Sequence, residues 1–219
     1  MAKVQLIGAW FSPFVKRVEI SLKIKGVEYE YIEVDLINKP PLVLHHNPIH
    51  QKVPILIHDG KTILESAVIL EYIDDVWKGP NILPKDPCQR ARARFWANFI
   101  DQKCVPATRK ALWCRGEEQE KAIKEAREAL KILECEVKDT KFFGGDQIDY
   151  VDIIGSFLAY WMRLFDEVAG LHLFTYEELP SLCKWADELC DNKHVKQHLP
   201  DKDRFVDRVR GHTKTTRSV

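Results

Sequence analysis

Over the first 78 residues the apolar positions change period every few residues, as they do where strands and helices alternate. Val4 to Ile7 is a short apolar run suited to a buried strand. Ser12-Pro13 then opens a helical pattern, with Val15, Val18 and Leu22 at spacings of three and four, and Gly26 stops it. Tyr29 to Val34 is aromatic and β-branched and reads as a second strand. A β-α-β order within about thirty residues implies parallel neighbours joined by a right-handed crossover. After the polar stretch Asn38-Lys39-Pro40-Pro41, the runs Val53-Pro54-Ile55-Leu56-Ile57 and Lys61-Thr62-Ile63-Leu64 flank Asp59-Gly60, a strong hairpin signal. Glu65-Ser66 caps a helix expected to turn Val68, Ile69, Tyr72, Ile73 and Val76 inward. The pattern predicts βαβ–ββα, a four-stranded mixed sheet with helices on both faces.

From Pro87 onward the period is almost purely helical. The segment Gly79 to Pro87 holds three prolines and a glycine in nine residues and reads as a linker. Arg94 to Lys103 carries Phe95, Trp96, Phe99 and Ile100 on one expected face. Glu117 to Asp139 carries Ile123, Ala126, Leu130, Leu133 and Val137 opposite a charged face. Val151 to Leu164 is apolar nearly all round, as a buried central helix should be. Pro180-Ser181 starts another helix, and the basic end from Arg204 reads as a solvated, frayed tail. The expected organisation is a first domain over residues 1–79, a linker over 80–87 and an all-α domain over 88–219.

Charge narrows the class. Lys plus Arg equals Asp plus Glu at 33 each, so the 219-residue chain has no electrostatic footprint for nucleic acid or an anionic membrane. No apolar run approaches the ~18–20 residues of a membrane span, and the N-terminus turns polar too quickly for a signal peptide. A cytosolic, soluble protein is expected. None of the six cysteines forms a CxxC pair or zinc-type spacing. They are expected to be reduced and buried in helices, with neither disulfides nor metal.

Three local features have a chemical reading beside a structural one. Trp10-Phe11-Ser12-Pro13-Phe14 sits at a strand-to-helix junction. Ser12 there is an ordinary N-cap, or a hydroxyl beside a helix start that holds an anion. No GxSxG elbow surrounds it, so it does not read as a hydrolase nucleophile. Val53-Pro54 is a plain strand start, or a cis turn that offers the Val53 backbone to an extended peptide. Glu65-Ser66 is a cap, or a seat for both charges of an amino-acid group.

Taken together with Asn38-Lys39, Asn47-Pro48-Ile49-His50-Gln51-Lys52-Val53-Pro54, Arg94-Phe95-Trp96 and Tyr150-Val151-Asp152, these motifs resemble the cytosolic glutathione transferases, specifically the plant tau class, over essentially the whole chain. The resemblance implies an α+β thioredoxin-like N-terminal domain followed by an all-α helical bundle. It implies that Ser12 hydrogen-bonds the glutathione sulfur, and that Lys39 and Lys52 meet the glycine carboxylate. Val53, before Pro54, would pair with the cysteinyl unit, and Glu65 and Ser66 would hold the γ-glutamyl end. The electrophile site would comprise Trp10, Phe11, Phe14, Val105, Arg109, Leu112, Trp161 and Phe205. Val105 and Leu112 replace aromatics common in the class, and Gln51 replaces a lysine. Glutathione is a co-substrate, and no bound cofactor or metal is implied. A homodimer is expected, with Trp77 and Phe95 near its surface.

The implied activity is conjugation of glutathione to hydrophobic electrophiles in detoxification, with peroxide reduction as a side activity. The alternative is a non-catalytic carrier of flavonoid, auxin-like or tetrapyrrole ligands. A thiol–disulfide oxidoreductase on the same fold is disfavoured, because Ser12 stands where that chemistry needs a cysteine.

Overall fold

A computed structural model describes the backbone of residues 3–216 and the side chains through Arg210. Strand β1 (Val4–Gly8) leads through a turn into helix α1 (Pro13–Lys25), followed by β2 (Glu30–Glu33) and the short α2 (Pro41–His46). Strands β3 (Ile55–His58) and β4 (Lys61–Leu64) and helix α3 (Ser66–Val76) complete the first unit. The four strands run in the order β2-β1-β3-β4. β1 pairs parallel with β2 and antiparallel with β3, with Gln5 opposite both Glu30 and Ile57. The β3–β4 hairpin turns through Asp59 and Gly60, both at positive φ (47° and 78°). That geometry explains the Asp-Gly pair, since two left-handed residues match the twist of the flanking strands. The mixed, thioredoxin-like sheet is as the sequence implied.

Helix α3 differs from expectation on one side. Ile69, Leu70 and Ile73 are buried, but Val68 and Val76 are 55% and 42% exposed. Its apolar arc is wider than the face α1 covers.

The second unit is helical. Helix α4 (Pro87–Phe99) is capped by Asp86, whose carboxylate accepts from Gln89 N at 2.8 Å. It continues through a π-helical turn (Ile100–Cys104) into α5 (Val105–Trp113). The helix therefore starts earlier and ends later than the Arg94–Lys103 pattern suggested. It tolerates Pro106 because the π turn has already shifted the hydrogen-bond ladder before it. Phe95 points away from the core, at 60% exposure. Then follow α6 (Gly116–Val137), α7 (Tyr150–Ser156), a second π turn (Phe157–Met162) and α8 (Arg163–Ala169). Helices α9 (Pro180–Asp191), α10 (Lys193–Lys196) and α11 (Lys202–Thr216) close the chain. The tail expected to fray is helical to Thr216 and buries Phe205; Arg217 lies outside the described residues.

The run from Tyr150 to Trp161 is buried almost throughout, as its apolar pattern required. The cysteines are less so. Only Cys104 and Cys183 are buried, whereas Cys88 and Cys135 are exposed, because they fall on the polar sides of α4 and α6. All six are free, and burial pushes the Cys104 thiol up to about 12.

Helix α7 starts on a capping box in which Asp149 accepts from Val151 N at 2.8 Å and Asp152 accepts from Asp149 N at 2.9 Å. The wholly buried Asp152 also accepts from Trp185 Nε1 at 2.8 Å and Phe143 N at 3.0 Å. Loss of water, and then the adjoining Asp152 carboxylate, push Asp149 up to about 8. A carboxyl raised on folding adds stability that is complete below the ordinary aspartate range and is lost as pH rises through the folded value. Asp149→Asn keeps the capping acceptor and removes the titration. Its melting temperature should therefore fall less than that of wild type between about pH 5 and 9. Parallel curves would show that Asp149 ionises normally.

Candidate active site

The loop from Ala9 to Ser12 is fixed from three directions before any ligand is considered. Trp10 N donates to both carboxylate oxygens of Glu33 at 3.1 Å. The Phe11 carbonyl accepts from Trp161 Nε1 at 2.9 Å, and Ser12 N donates to the Ala9 carbonyl at 2.9 Å. Ser12 then caps α1, its Oγ accepting from Val15 N at 3.4 Å, with Pro13 at the first helical position. Among the described residues that hydroxyl donates to no acceptor, so its proton is available. The helix it caps has 13 residues, long enough for a positive N-terminal end.

Two hollows share the Phe14 side chain of the first turn of α1 as a wall. The smaller, about 130 Å³, is lined by Phe14, Asn47, Lys52, Val53, Pro54, Glu65 and Ser66. The larger is a cleft of about 840 Å³ between the two units, and it shares Phe14, Glu65 and Ser66. The Val53–Pro54 bond is cis, as one reading of the sequence held. Asn47, 2% exposed, shapes the loop ahead of it: its Nδ2 donates to the Lys52 carbonyl at 3.0 Å and its Oδ1 accepts from His50 N at 3.1 Å. Glu65 holds φ 66°, ψ 116°, an uncommon backbone state for a residue with a side chain and one that clusters at ligand sites. It aims an exposed carboxylate outward, with His50 Nε2 at 3.8 Å. Ser66 opens α3 and is buried.

The structure thus brings Lys52, Val53, Pro54, Glu65 and Ser66 together, with Phe14, Val105 and Arg109 on the adjoining cleft. Other expected residues lie elsewhere. Neither Lys39, exposed in the loop before α2, nor Ser12, buried two residues ahead of Phe14, lines either hollow. Leu112, Trp161 and Phe205 are core residues, and Phe205 packs edge-on against Phe165. Trp10 and Phe11 are covered by the C-terminal helix: the Arg204 guanidinium lies 3.9 Å from the Trp10 ring centre and Arg208 lies 3.7 Å from that of Phe11. Among the described residues no cluster of metal-type ligands occurs, and no helix is long and apolar enough to cross a membrane.

Residues 2–75 match the model of the glutathione S-transferase N-terminal domain, and residues 95–192 match that of the C-terminal domain. The chain belongs to the glutathione S-transferase family. It is 50% identical to glutathione S-transferase U8 of Arabidopsis thaliana over 93% of this chain and 92% of that one. A probable glutathione S-transferase of Nicotiana tabacum is also 50% identical, over 94% and 92% of the two chains. A tau-class glutathione S-transferase of mango superposes with a TM-score of 0.89 at 39% identity, over 95% and 97% of the chains. Rice GST1, solved in complex with glutathione, superposes with a TM-score of 0.87 at 36% identity, over 98% and 97%. These relatives place the transferase in the tau class.

Arg17 and Asp101 escaped the sequence reading. Arg17 is fully buried on α1, where a charged residue between apolar positions reads as a solvent face. Its guanidinium donates to Asp101 at 2.6 and 3.0 Å, to the Ile154 carbonyl at 2.8 Å and to Ser66 Oγ at 3.4 Å. With its oxygen engaged by Arg17, the Ser66 hydroxyl keeps a proton to donate to a carboxylate. Asp101→Asn should cost about 3 kcal/mol of stability, because it strips a buried cation of its counter-charge. The urea midpoint measures this. A loss under ~1 kcal/mol would mean that the carbonyl and hydroxyl alone satisfy Arg17.

Proposed function

We propose that this transferase conjugates the glutathione thiolate to apolar electrophiles, with Ser12 as hydrogen-bond donor to the sulfur. The observation that carries the reading is the hollow where the Val53–Pro54 turn, Lys52 and the α3 N-terminus converge on Phe14 of the first turn of α1. Glutathione presents matching groups: two carboxylates, one ammonium and a thiol. Glu65 takes the ammonium, Ser66 and the free N–H groups of α3 take the γ-glutamyl carboxylate, and the Val53 backbone pairs with the cysteinyl unit. Lys52 takes the glycine carboxylate, joined by Lys39 on movement of its loop.

Conjugation at neutral pH needs the thiolate, whereas a free thiol titrates near ~8.5. Lowering it by roughly two units requires about 3 kcal/mol of preference for the anion. One hydroxyl donor and the start of a 13-residue helix, acting in a partly dry site, supply an effect of that size. Ser12 donates and need never ionise. The electrophile then lies in the larger cleft, against Phe14 and Val105.

Ser12→Ala should raise the pKa of bound glutathione by about one unit or more, since one donor to a charged sulfur is lost. Turnover near neutral pH should drop about tenfold, with partial recovery at alkaline pH. Thiolate absorbance titrated in both proteins is the direct measurement. Coincident curves would leave Ser12 a cap worth about 1 kcal/mol and nothing more.

The same reading includes a cytosolic homodimer. Its support is the exposed Phe95 and Val68 around the Arg94–Glu71 ion pair that joins α4 to α3, while Trp77 is partly covered by His58 and Tyr72. Sedimentation at micromolar concentration should give twice the 25.5 kDa chain mass, and a single-chain species would contradict it.

A further inference from the structure

We propose that Trp161 is a positioning residue for the conjugation step: its indole N–H fixes the peptide group from which Ser12 projects. The proposal rests on the transferase reading above, in which that loop and its serine stabilise the thiolate.

Trp161 and Phe11 are 150 residues apart in sequence, yet the indole Nε1 donates to the Phe11 carbonyl at 2.9 Å. That carbonyl and the Ser12 N–H belong to one planar peptide group. The N–H end is held as well, donating to the Ala9 carbonyl at 2.9 Å. A peptide plane fastened at both ends cannot swing, and its orientation holds φ of Ser12 at −77°. The direction of the Cα–Cβ bond, and with it the reach of the hydroxyl, follows from that angle.

The donor itself is rigid. Trp161 is buried and lies in the π turn Phe157–Met162, a geometry that recurs at functional sites. Phe157 stands edge-on both to Trp161 and to Phe14, with ring centres 6.5 and 5.4 Å apart. The helical unit thus grips the backbone just before Ser12 and the side chain two residues after it. A buried indole N–H needs an acceptor in any core, so a packing role alone would also account for the bond. The two explanations differ in what the N–H does for the bound thiol.

The test uses the full chain and replaces Trp161 in two ways. Trp161→Phe removes the donor and part of the ring. Benzothienylalanine, introduced at position 161 by codon reassignment, keeps the fused bicyclic shape and carries sulfur in place of the N–H. In both proteins the pKa of bound glutathione, read from thiolate absorbance, should rise by about half a unit or more. Turnover near neutral pH should fall about three- to tenfold and recover in part at alkaline pH, while the KM for glutathione stays within about twofold. If Trp161→Phe does not fold, the isosteric replacement decides alone. An unshifted titration with benzothienylalanine overturns the proposal and leaves Trp161 a packing residue.

Ser12→Ala separates the proposal from the reading beneath it. If Ser12→Ala raises the thiol pKa and benzothienylalanine does not, the serine reading stands and the positioning role falls. If the replacement at 161 raises it and Ser12→Ala does not, the hold on the loop stands and the hydroxyl is not the donor. Where both act, combining them should add little, because one group carries both effects; full additivity would show that Trp161 acts apart from Ser12 and overturn the proposal.

Discussion

A guanidinium with no access to water must find its partners inside the protein, and much of the architecture around Arg17 follows from that demand. Its counter-charge, Asp101, sits on the π turn between α4 and α5, and a second acceptor is the Ile154 carbonyl of α7. A third is Ser66 at the head of α3, and the Phe14 ring lies 4.9 Å from the guanidinium carbon. One cation on α1 thereby holds the helical unit and the head of α3 in the thioredoxin-like unit in one arrangement. Moving any of these elements exposes a buried charge, which costs more than the loss of an ordinary contact.

Helix α1 is enclosed by protein on several sides, and this limited what its sequence could reveal. Val15, Val18 and Leu22 marked it as a helix, yet Lys16, Arg17, Glu19 and Lys25 are buried with them. Lys16 pairs with Glu19 at 2.6 Å and Lys25 with Asp74 at 2.7 Å. A periodicity argument assigns such charges to solvent, because the elements that cover them, and for Arg17 and Lys25 the carboxylates that neutralise them, lie elsewhere in the chain. The strands, the hairpin and the caps were readable because their determinants are local: Asp-Gly at the turn, Ser-Pro at the cap, Val-Pro at the strand start. The cluster of Lys52, Val53, Pro54, Glu65 and Ser66 was legible through those local signals and through family resemblance. Arg17 and Asp101, 84 residues apart, left no local signal.

The aromatic residues show the same boundary from another side. Trp161 and Phe205 were placed in a ligand site and belong to the core, whereas Phe95, expected near the surface of a dimer, faces out. Trp161 and Phe205 were assigned by family resemblance, although the apolar run from Val151 to Leu164 by itself already put Trp161 in a buried helix. Phe95, on α4 ahead of the π turn, stands beside Trp96 and Phe99, which pack partly against the core and leave it outside. Arg204 and Arg208, spaced by four on α11, cover Trp10 and Phe11 and add to the three hydrogen bonds that steady the loop before Ser12. The proposed thiolate donor is in this way held in place before substrate arrives, and little reorganisation is left to the reaction itself.

Phe14, Glu65 and Ser66 are walls of both hollows at once. A shared wall makes the two occupants thermodynamic neighbours even where they do not touch. With the tripeptide in the smaller hollow and the electrophile in the larger, as proposed, whatever factor a bound electrophile imposes on the affinity for the tripeptide, the tripeptide imposes the same factor on the electrophile. Two members of this fold could thus carry identical tripeptide contacts and still differ in tripeptide affinity whenever the second site is filled.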